Sequence, residues 1–169
     1  MARRAVRGHK TPLNPQLSRF VDTLGFMWEG YGLARGAGRL FGLLLLAPRP
    51  LSAAEISDTL RVSRSSVSAD VRGLVSIGVV ERIRVPGDRT GYYVFSPQAW
   101  EHAAAIRRQE ARRYRDLAEH TMRALPSSHP GRERLDAFME WAEIFGDAID
   151  RMLPELRARG RERARGSQR

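Results

Sequence analysis

Serine and arginine side chains are concentrated in two neighbouring stretches, "SRSSVSADVR" at residues 63–72 and "ERIRVPGDRT" at residues 81–90. Guanidinium groups suit phosphates and base edges, and hydroxyl groups can add hydrogen bonds to either. No general base or oxyanion arrangement accompanies the serines, so nucleophilic catalysis is not indicated. The two stretches are either solvated surface or a binding site for a negatively charged partner. The secondary-structure elements around them distinguish these two interpretations.

The other residue types that could carry chemistry form no recognisable site. The chain has no cysteine, which excludes disulfides, thiolate metal sites and thiol redox sensing. No phosphate-binding glycine loop is present. Four histidines share no metal-ligand spacing, and a surface or loop position is the favoured interpretation of His9, His102, His120 and His129. We therefore predict a non-enzymatic protein with no catalytic residues, no metal and no cofactor.

The net charge of +10 is distributed unevenly along the 169 residues. Residues 1–10 contribute +4 and residues 157–169 contribute +5, so the high isoelectric point comes mostly from the two ends. Between them, residues 35–94 carry nine arginines against five acids, whereas residues 129–156 carry three against seven. The pattern predicts a basic central region and an acidic last helix.

The apolar residues indicate a folded domain without a membrane segment. Apolar content is ordinary for a globular protein, and the length allows one domain or a small module with an oligomerisation element. The basic N-terminus is not followed by the apolar region of a secretory signal. The most apolar run, residues 40–47, is too short to span a bilayer. We expect a cytoplasmic protein that does not bind membranes.

Two helices are predicted before the serine-rich stretch. Asn14 and Pro15 suit the cap and the first position of a helix that continues to Gly30. A second helix, residues 33–46, is apolar on nearly all sides, which indicates a buried element. Two glycines four residues apart in this helix would permit close approach of a neighbour.

The next elements form a helix-turn-helix followed by a hairpin. Ser52 and Glu55 make a capping box, Ser63 caps a further short helix, and only about three residues separate the two helices. Gly78 ends the second of them, and an alternating hairpin follows at residues 81–95. The predicted fold class is mainly α with a small β-hairpin wing: a winged helix-turn-helix plus a helical dimerisation region.

Two longer helices are predicted after the hairpin, at about residues 97–125 and 131–153, and Pro154 is expected to end or kink the second. The last helix carries two parallel lines of apolar residues, more than one core-facing stripe requires. Such a face is typical of a helix that also packs against a partner subunit. The residues predicted for this dimer interface are Phe20, Leu24, Leu135, Phe138, Trp141, Phe145 and Ile149.

The helix that Ser63 caps has a short, polar and lightly basic face opposite its apolar residues. Such a face fits the DNA major groove, with the hairpin alongside it against phosphates or the minor groove. An ordinary solvated helix, or a winged domain used for protein interaction, remains the alternative, but the attached arginine hairpin favours DNA. The predicted DNA-binding residues are Ser63, Arg64, Ser65, Ser66, Ser68, Arg72, Arg84, Asp88, Arg89 and Thr90.

The central stretch "GRLFGLLLLAPRPLSAAEISDTLRVSRSSVSADVRGLVSIGVVERIRVPGDRTGYY", residues 38–93, resembles the DNA-binding half of MarR-type repressors. It is most similar to the GbsR-like branch, which includes actinobacterial efflux-pump repressors. The resemblance implies a homodimer that holds two winged domains over successive major grooves of near-palindromic double-stranded DNA. The chain then divides into a basic disordered arm (1–12), an N-terminal dimerisation helix (13–32), a winged helix-turn-helix domain (33–96), C-terminal dimerisation helices (97–156) and a basic tail (157–169).

Two residues depart from the pattern of that branch. Thr90 stands where many relatives have a second arginine in the wing, so Arg89 carries the tip alone, with Asp88 able to orient it. Asp70 stands where many relatives have asparagine. An acid near DNA would repel phosphate, although it could accept a hydrogen bond from a cytosine amine.

The resemblance also implies a small-molecule effector. Family members often bind an apolar or cationic molecule between the dimerisation helices and the winged domain. Aromatic side chains at that junction could hold a lipophilic molecule or surround a quaternary amine. Packing within the core and the interface is the favoured alternative for the three residues concerned, Trp28, Tyr31 and Trp100.

Overall fold

The structure is a computed structural model that describes residues 13–166. The predicted arm at residues 1–12 and the last three residues of the predicted tail lie outside this range. The chain divides after Ala99 into two compact units. Its elements are α1 (Pro15–Gly30), α2 (Arg35–Leu46), β1 (Leu51–Ser52), α3 (Ala53–Leu60), α4 (Arg64–Ser76), β2 (Val80–Arg84), β3 (Gly91–Phe95), α5 (Ala99–Ala124) and α6 (Arg132–Gly166).

The first two helices pack closely because α2 presents glycines to α1. The Asn14 side chain accepts a hydrogen bond from the Leu17 N–H at 2.9 Å and caps α1 as predicted. A Cβ atom added to Gly38 would lie 2.8 Å from the Leu24 carbonyl oxygen, and one added to Gly42 would lie 2.9 Å from a Leu24 methyl group. Larger residues at these positions would push the helices apart, so the predicted close approach is confirmed.

The helix-turn-helix is built from two capped helices and a turn of three residues. Ser52 Oγ accepts from the Glu55 N–H at 3.2 Å, and Glu55 Oε2 accepts from the Ser52 N–H at 2.8 Å, which confirms the capping box. Arg61 ends α3 in the left-handed region, at φ 54°. Ser63 then caps α4 by accepting from the Ser66 N–H at 3.1 Å. The three residues from Arg61 to Ser63 therefore turn the chain from one helix into the next.

The wing is a three-stranded antiparallel sheet in the order β1-β3-β2. The predicted hairpin pairs β2 with β3, from Val80 opposite Phe95 to Arg84 opposite Gly91. The third strand, β1, was not predicted, because two residues are too few to show an alternating pattern. Otherwise the structure confirms the predicted fold class, which is mainly helical with a small β wing.

One apolar core holds the first unit together. It draws on α1 to α4 and on the start of β2, and side chains from every one of these elements are nearly inaccessible to solvent. The residues no more than 5% exposed in this core include Val21, Leu40, Leu43, Leu44, Ile56, Leu60, Val67, Val71, Leu74, Val79 and Val80. Because α4 contributes three of these, its opposite face is turned outward.

The second unit is an antiparallel pair of helices, α5 and α6, joined by ion pairs at regular intervals. Glu101 pairs with Arg157 at 3.2 Å, Arg108 donates to Asp150 at 2.8 Å, and Arg115 lies 3.9 Å from Glu143. Each step between pairs is seven residues on both helices, and we call the three pairs the ion-pair ladder. Small or apolar side chains are buried beside it: Ala104, Ala111, Ala118, Ala142 and Ile149.

Of the two outcomes predicted for Pro154, an end or a kink, the structure excludes an end, because the last helix continues to Gly166. Proline removes one backbone N–H, so the Asp150 carbonyl loses its helical donor. Apolar contacts on both sides of the proline compensate, because Leu153 and Leu156 pack in one cluster with Ala104 and Ile149. Much of the predicted basic tail is therefore helical.

Candidate nucleic-acid interface

The exposed start of α4 is organised by a cluster of serine hydroxyl groups. Ser63 Oγ shares hydrogen bonds of 2.8 Å with the hydroxyl groups of both Ser65 and Ser66. All three side chains are exposed, whereas Val67, the next residue, is completely buried. The cluster thus presents short polar groups at the helix end where unpaired backbone N–H groups also favour anions.

Further along the same helix, Arg72 is held by a residue one turn earlier. Its Nη1 donates to Ser68 Oγ at 2.9 Å, and both residues are exposed. A guanidinium group has five N–H donors, so this single bond positions the group and leaves it the capacity to bind a base edge or a phosphate. Arg64 is also exposed, in the first turn.

The loop at the tip of the wing is fixed by Asp88. The Asp88 N–H donates to the Val85 carbonyl at 3.0 Å across Pro86 and Gly87, and Gly87 has φ 80°, as a type II turn requires. The Asp88 carboxylate accepts from the Thr90 N–H and from the Tyr92 hydroxyl, each at 2.8 Å. The carboxylate therefore stabilises the loop that carries Arg89.

Tyr92 is a site residue that the sequence interpretation missed. Its ring is buried at 5% exposure, and its hydroxyl is bound to Asp88. This hydrogen bond raises the pKa of the Tyr92 hydroxyl above its ordinary value. The sequence does show a tyrosine four residues after an acid. Only the register of the strand, however, shows that this tyrosine faces inward.

The three wing arginines differ in their surroundings. Arg84 and Arg89 are exposed, as a DNA contact requires. Arg82 lies across the neighbouring strand, since a Cβ atom added to Gly91 would be 2.7 Å from the Arg82 Nε. Arg82 is exposed as well, but its guanidinium group lies over β3.

Asp70 does not share the exposed serine and arginine face of α4. The residue is half-buried, and its carboxylate faces Gly36 in the first turn of α2. Burial raises the pKa of Asp70 above its ordinary value. The expectation that this acid lies near DNA is not supported by its placement.

Comparison with known proteins agrees with this geometry. The MarR family model matches residues 31–89, which contain α2 to α4 and most of the wing. The chain is 34% identical over 145 residues to the HTH-type transcriptional regulator MmpR5 of Mycobacterium tuberculosis, with 81% of this chain and 87% of that protein covered. The chain belongs to the MarR family. This regulator is thus not an enzyme, as its sequence predicted.

A solved structure supports the same assignment at the level of the fold. The crystal structure of a transcriptional regulator, 30% identical in sequence, superimposes with a TM-score of 0.73. The superposition covers 92% of this MarR-family chain and all of the other. Within residues 13–166, no helix is both long and apolar enough to cross a membrane.

The residues predicted to bind an effector lie in different settings. Trp28 is half-buried, and its ring centroid lies 5.3 Å from that of Phe41, which supports a role in the core. Tyr31 is 79% exposed just after α1, and Trp100 is 44% exposed in the second unit. A separate open groove of about 940 Å³ is bounded by α1, α2 and α3, and its described lining includes neither Trp28 nor Tyr31.

The residues predicted for the dimer interface fall into two groups. Phe138, Trp141 and Phe145 form a continuous stack on α6, with ring centroids 5.7 Å and 5.5 Å apart. Phe20, Phe138 and Trp141 are exposed, whereas Phe145 is partly covered. The others are wholly or partly covered within the chain: Leu24, Leu135 and Ile149.

Proposed function

We propose that this regulator is a homodimeric repressor that binds near-palindromic double-stranded DNA in a sequence-specific manner and is released by a small lipophilic or cationic effector. The exposed serine and arginine face of α4, beside a wing tip fixed by Asp88, is the observation that carries the proposal. We place the protein in the GbsR-like branch because of the "PGDR" wing, and in the cytoplasm, where it meets DNA.

In this mechanism α4 enters the major groove with its N-terminus first. The small hydroxyl side chains of the first turn let the helix approach the base edges closely, and their hydrogen bonds reach bases or phosphates. Arg72, positioned by Ser68, is suited to a bidentate contact with guanine. The interaction is therefore specific where α4 reads bases.

The wing adds contacts outside the major groove. Arg89 projects from a loop that Asp88 stabilises and reaches the minor groove or the backbone, while Arg84 contacts phosphate. Thr90 adds no charge, so this wing relies on fewer cations than two consecutive arginines would supply. The charge of the wing contributes affinity that falls as salt concentration rises.

The proposed homodimer rests on the apolar residues that each chain leaves exposed. Trp141 is 47% exposed and Phe138 is 37% exposed, on a helix that a family member would use for dimerisation. A second copy covers this aromatic surface and Phe20 of α1. Two α4 helices are then held at a fixed separation, which matches the two half-sites of a near-palindrome.

The test is DNA binding by single arginine variants, measured by fluorescence anisotropy on a duplex selected from a random pool. A lost base contact should cost about 1–3 kcal/mol for the selected duplex. A lost phosphate contact should weaken all duplexes alike and reduce the salt slope by about one. We expect the first result for Arg72→Ala and the second for Arg89→Ala.

The matched control is Arg134→Ala, which removes one exposed positive charge from α6. This variant should bind the selected duplex and unrelated duplexes as the unmodified protein does. If Arg72→Ala and Arg89→Ala also bind normally, the assignment of α4 and the wing is wrong. A complete lack of salt-dependent duplex binding would instead favour a winged domain used for protein interaction.

A further inference from the structure

Asp70 belongs to the proposed recognition helix but points into the protein. A Cβ atom added to Gly36 would collide with Asp70 Oδ2 and lie 3.1 Å from Cγ. Gly36 is the second residue of α2, so the carboxylate packs directly on the first turn of that helix. The fit depends on glycine, because any other residue at position 36 would occupy the same space.

The first turn of α2 lacks any acid of its own. Ala34, at the cap position, makes no side-chain hydrogen bond to the helix, and the first turn contains no acidic residue. The positive end of a helix dipole is stabilised by a nearby negative charge. Asp70 supplies that charge from α4, so the two helices interact through a carboxylate of one and the N-terminus of the other.

Keeping this carboxylate half-buried has a cost, which the raised pKa of Asp70 reflects. The two arginines of α2 are engaged elsewhere: the Arg35 guanidinium lies 3.8 Å above the Phe26 ring, and Arg39 binds Asp22 at 2.8 Å. Neither arginine of α2 therefore neutralises the Asp70 carboxylate, which packs against Gly36.

The contact also lies on a continuous path from α1 to α4. Gly25 lets the Arg39 side chain pack tightly on α1, and Gly38 and Gly42 bring α1 and α2 into direct backbone contact. The two helices therefore pack as one closely fitted pair. Asp70 packs the recognition helix against the start of α2.

We propose that Asp70 is a positioning residue that couples the α1–α2 pair to α4 and sets the orientation in which α4 is presented to DNA. This inference rests on the proposed function. Asp70 itself does not contact DNA. Since α1 is a predicted dimerisation helix, the same contact links the arrangement of the dimer to each recognition helix.

The first test is Asp70→Asn, which preserves the shape of the side chain and removes its charge. We expect little change in Tm, because removing the charge relieves the cost of its burial but also removes its attraction to the N-terminus of α2. We also expect affinity for the selected duplex to fall about three- to tenfold, with the same preferred bases and the same salt slope. Anisotropy titrations on duplexes with single base changes would measure all three quantities.

The second test is a double-mutant cycle on Tm and DNA affinity. Gly36→Ala should lower both, because its Cβ displaces the Asp70 carboxylate, and Gly36→Ala/Asp70→Ala should recover part of both losses. Gly30→Ala is the matched control, since a Cβ there meets nothing within 4 Å and the residue lies at the end of α1, outside the recognition helix. Strict additivity of the two single changes would contradict a direct contact.

Three outcomes overturn the inference. Normal DNA affinity in Asp70→Asn would show that Asp70 has no role in DNA binding. A changed base preference at one operator position would show that Asp70 contacts DNA directly. A lower Tm that accounts for the whole loss of binding would make its role purely structural. In each case the unmodified protein still binds its duplex, so failure of the inference is distinct from failure of the proposed function.

Discussion

At the scale of single residues, the side chains proposed to contact DNA are held in place by short local hydrogen bonds. Ser63 binds its neighbours in the first turn of α4, Ser68 holds Arg72, and Tyr92 holds Asp88. Side chains that are already ordered lose less conformational entropy when they bind a ligand. The proposed interface therefore needs little rearrangement of its side chains in order to bind DNA.

Glu55 provides a pH-dependent test at this scale. It accepts from Ser52 in the capping box and from Arg49 at 2.8 Å. Burial alone would raise the pKa of Glu55, but the hydrogen bonds from Arg49 and Ser52 bring it below its ordinary value. Because the folded pKa is lowered, the stability that this carboxylate contributes is present above the unfolded pKa and is lost as pH falls through the folded pKa.

We therefore predict that Glu55→Gln lowers the free energy of unfolding by on the order of 1 kcal/mol at pH 7. The difference from the unmodified protein should close as pH falls from about 5 to about 3. Urea unfolding at several pH values would measure it, with the exposed Glu133→Gln as the control. A difference that is as large at pH 3 as at pH 7 would show that the charge of Glu55 is not involved.

At the scale of elements, glycines in helices serve opposite needs in α2 and α4. Glycine at position 38 lowers the helix propensity of α2 but allows α1 to approach. A Cβ atom added there would lie 2.8 Å from atoms of both Leu24 and Trp28. Gly73 in α4 faces open space. The same residue type is thus required by packing in one helix and is merely tolerated in the other.

We predict opposite signs for the two substitutions to alanine. Gly38→Ala should destabilise the fold by about 1–3 kcal/mol, because overpacking outweighs the gain in helix propensity. Gly73→Ala should stabilise it by about 0.5–1 kcal/mol, because only the propensity changes. Thermal or urea unfolding of the two variants gives the comparison, and a stabilised Gly38→Ala would refute the close packing of α1 on α2.

Capping residues in the sequence predicted where the helices begin. The continuation of α6 and the orientation of Asp70 depend instead on contacts between residues that are distant in the sequence. The caps at Asn14, Ser52 and Ser63 involve residues at most three positions apart, so the sequence alone reveals them. The continuation of α6 past Pro154 depends on tertiary packing of Leu156, which local propensity does not contain. The inward orientation of Asp70 likewise depends on α2, about 34 residues away.

At the scale of the whole molecule, several large apolar side chains remain exposed on the single chain. On α5 and α6 these include Tyr114, Leu117, Phe138, Trp141 and Ile144. Tyr114 joins the α6 stack, with its ring centroid 5.7 Å from that of Phe138. A patch of this kind marks an interaction surface in a protein that is otherwise highly charged, and a second copy is the partner that the family membership favours.

We predict that Trp141→Ala weakens this association by about 2 kcal/mol or more, a rise of roughly thirtyfold in the dimer dissociation constant. A half-exposed tryptophan within an aromatic stack is the residue type that most often dominates such interfaces. Sedimentation equilibrium at micromolar concentration would measure it, with the adjacent exposed Glu140→Ala as the control. If the unmodified protein is already monomeric under these conditions, the homodimer is excluded.

The ion-pair ladder between α5 and α6 restricts how the lengths of these helices can change. Its three pairs recur every seven residues on both helices, and each pair joins one acid to one arginine across the two helices. Along α5 the order is one acid and then two arginines, and along α6 it is two acids and then one arginine. Deleting one residue from α5 would rotate every later side chain by about 100° and bring like charges or bare surface into register. Insertions and deletions in these helices should therefore be tolerated only when the same multiple of seven residues is added to or removed from both α5 and α6. Variation in length among related proteins should instead accumulate in the connecting loop, residues 125–131.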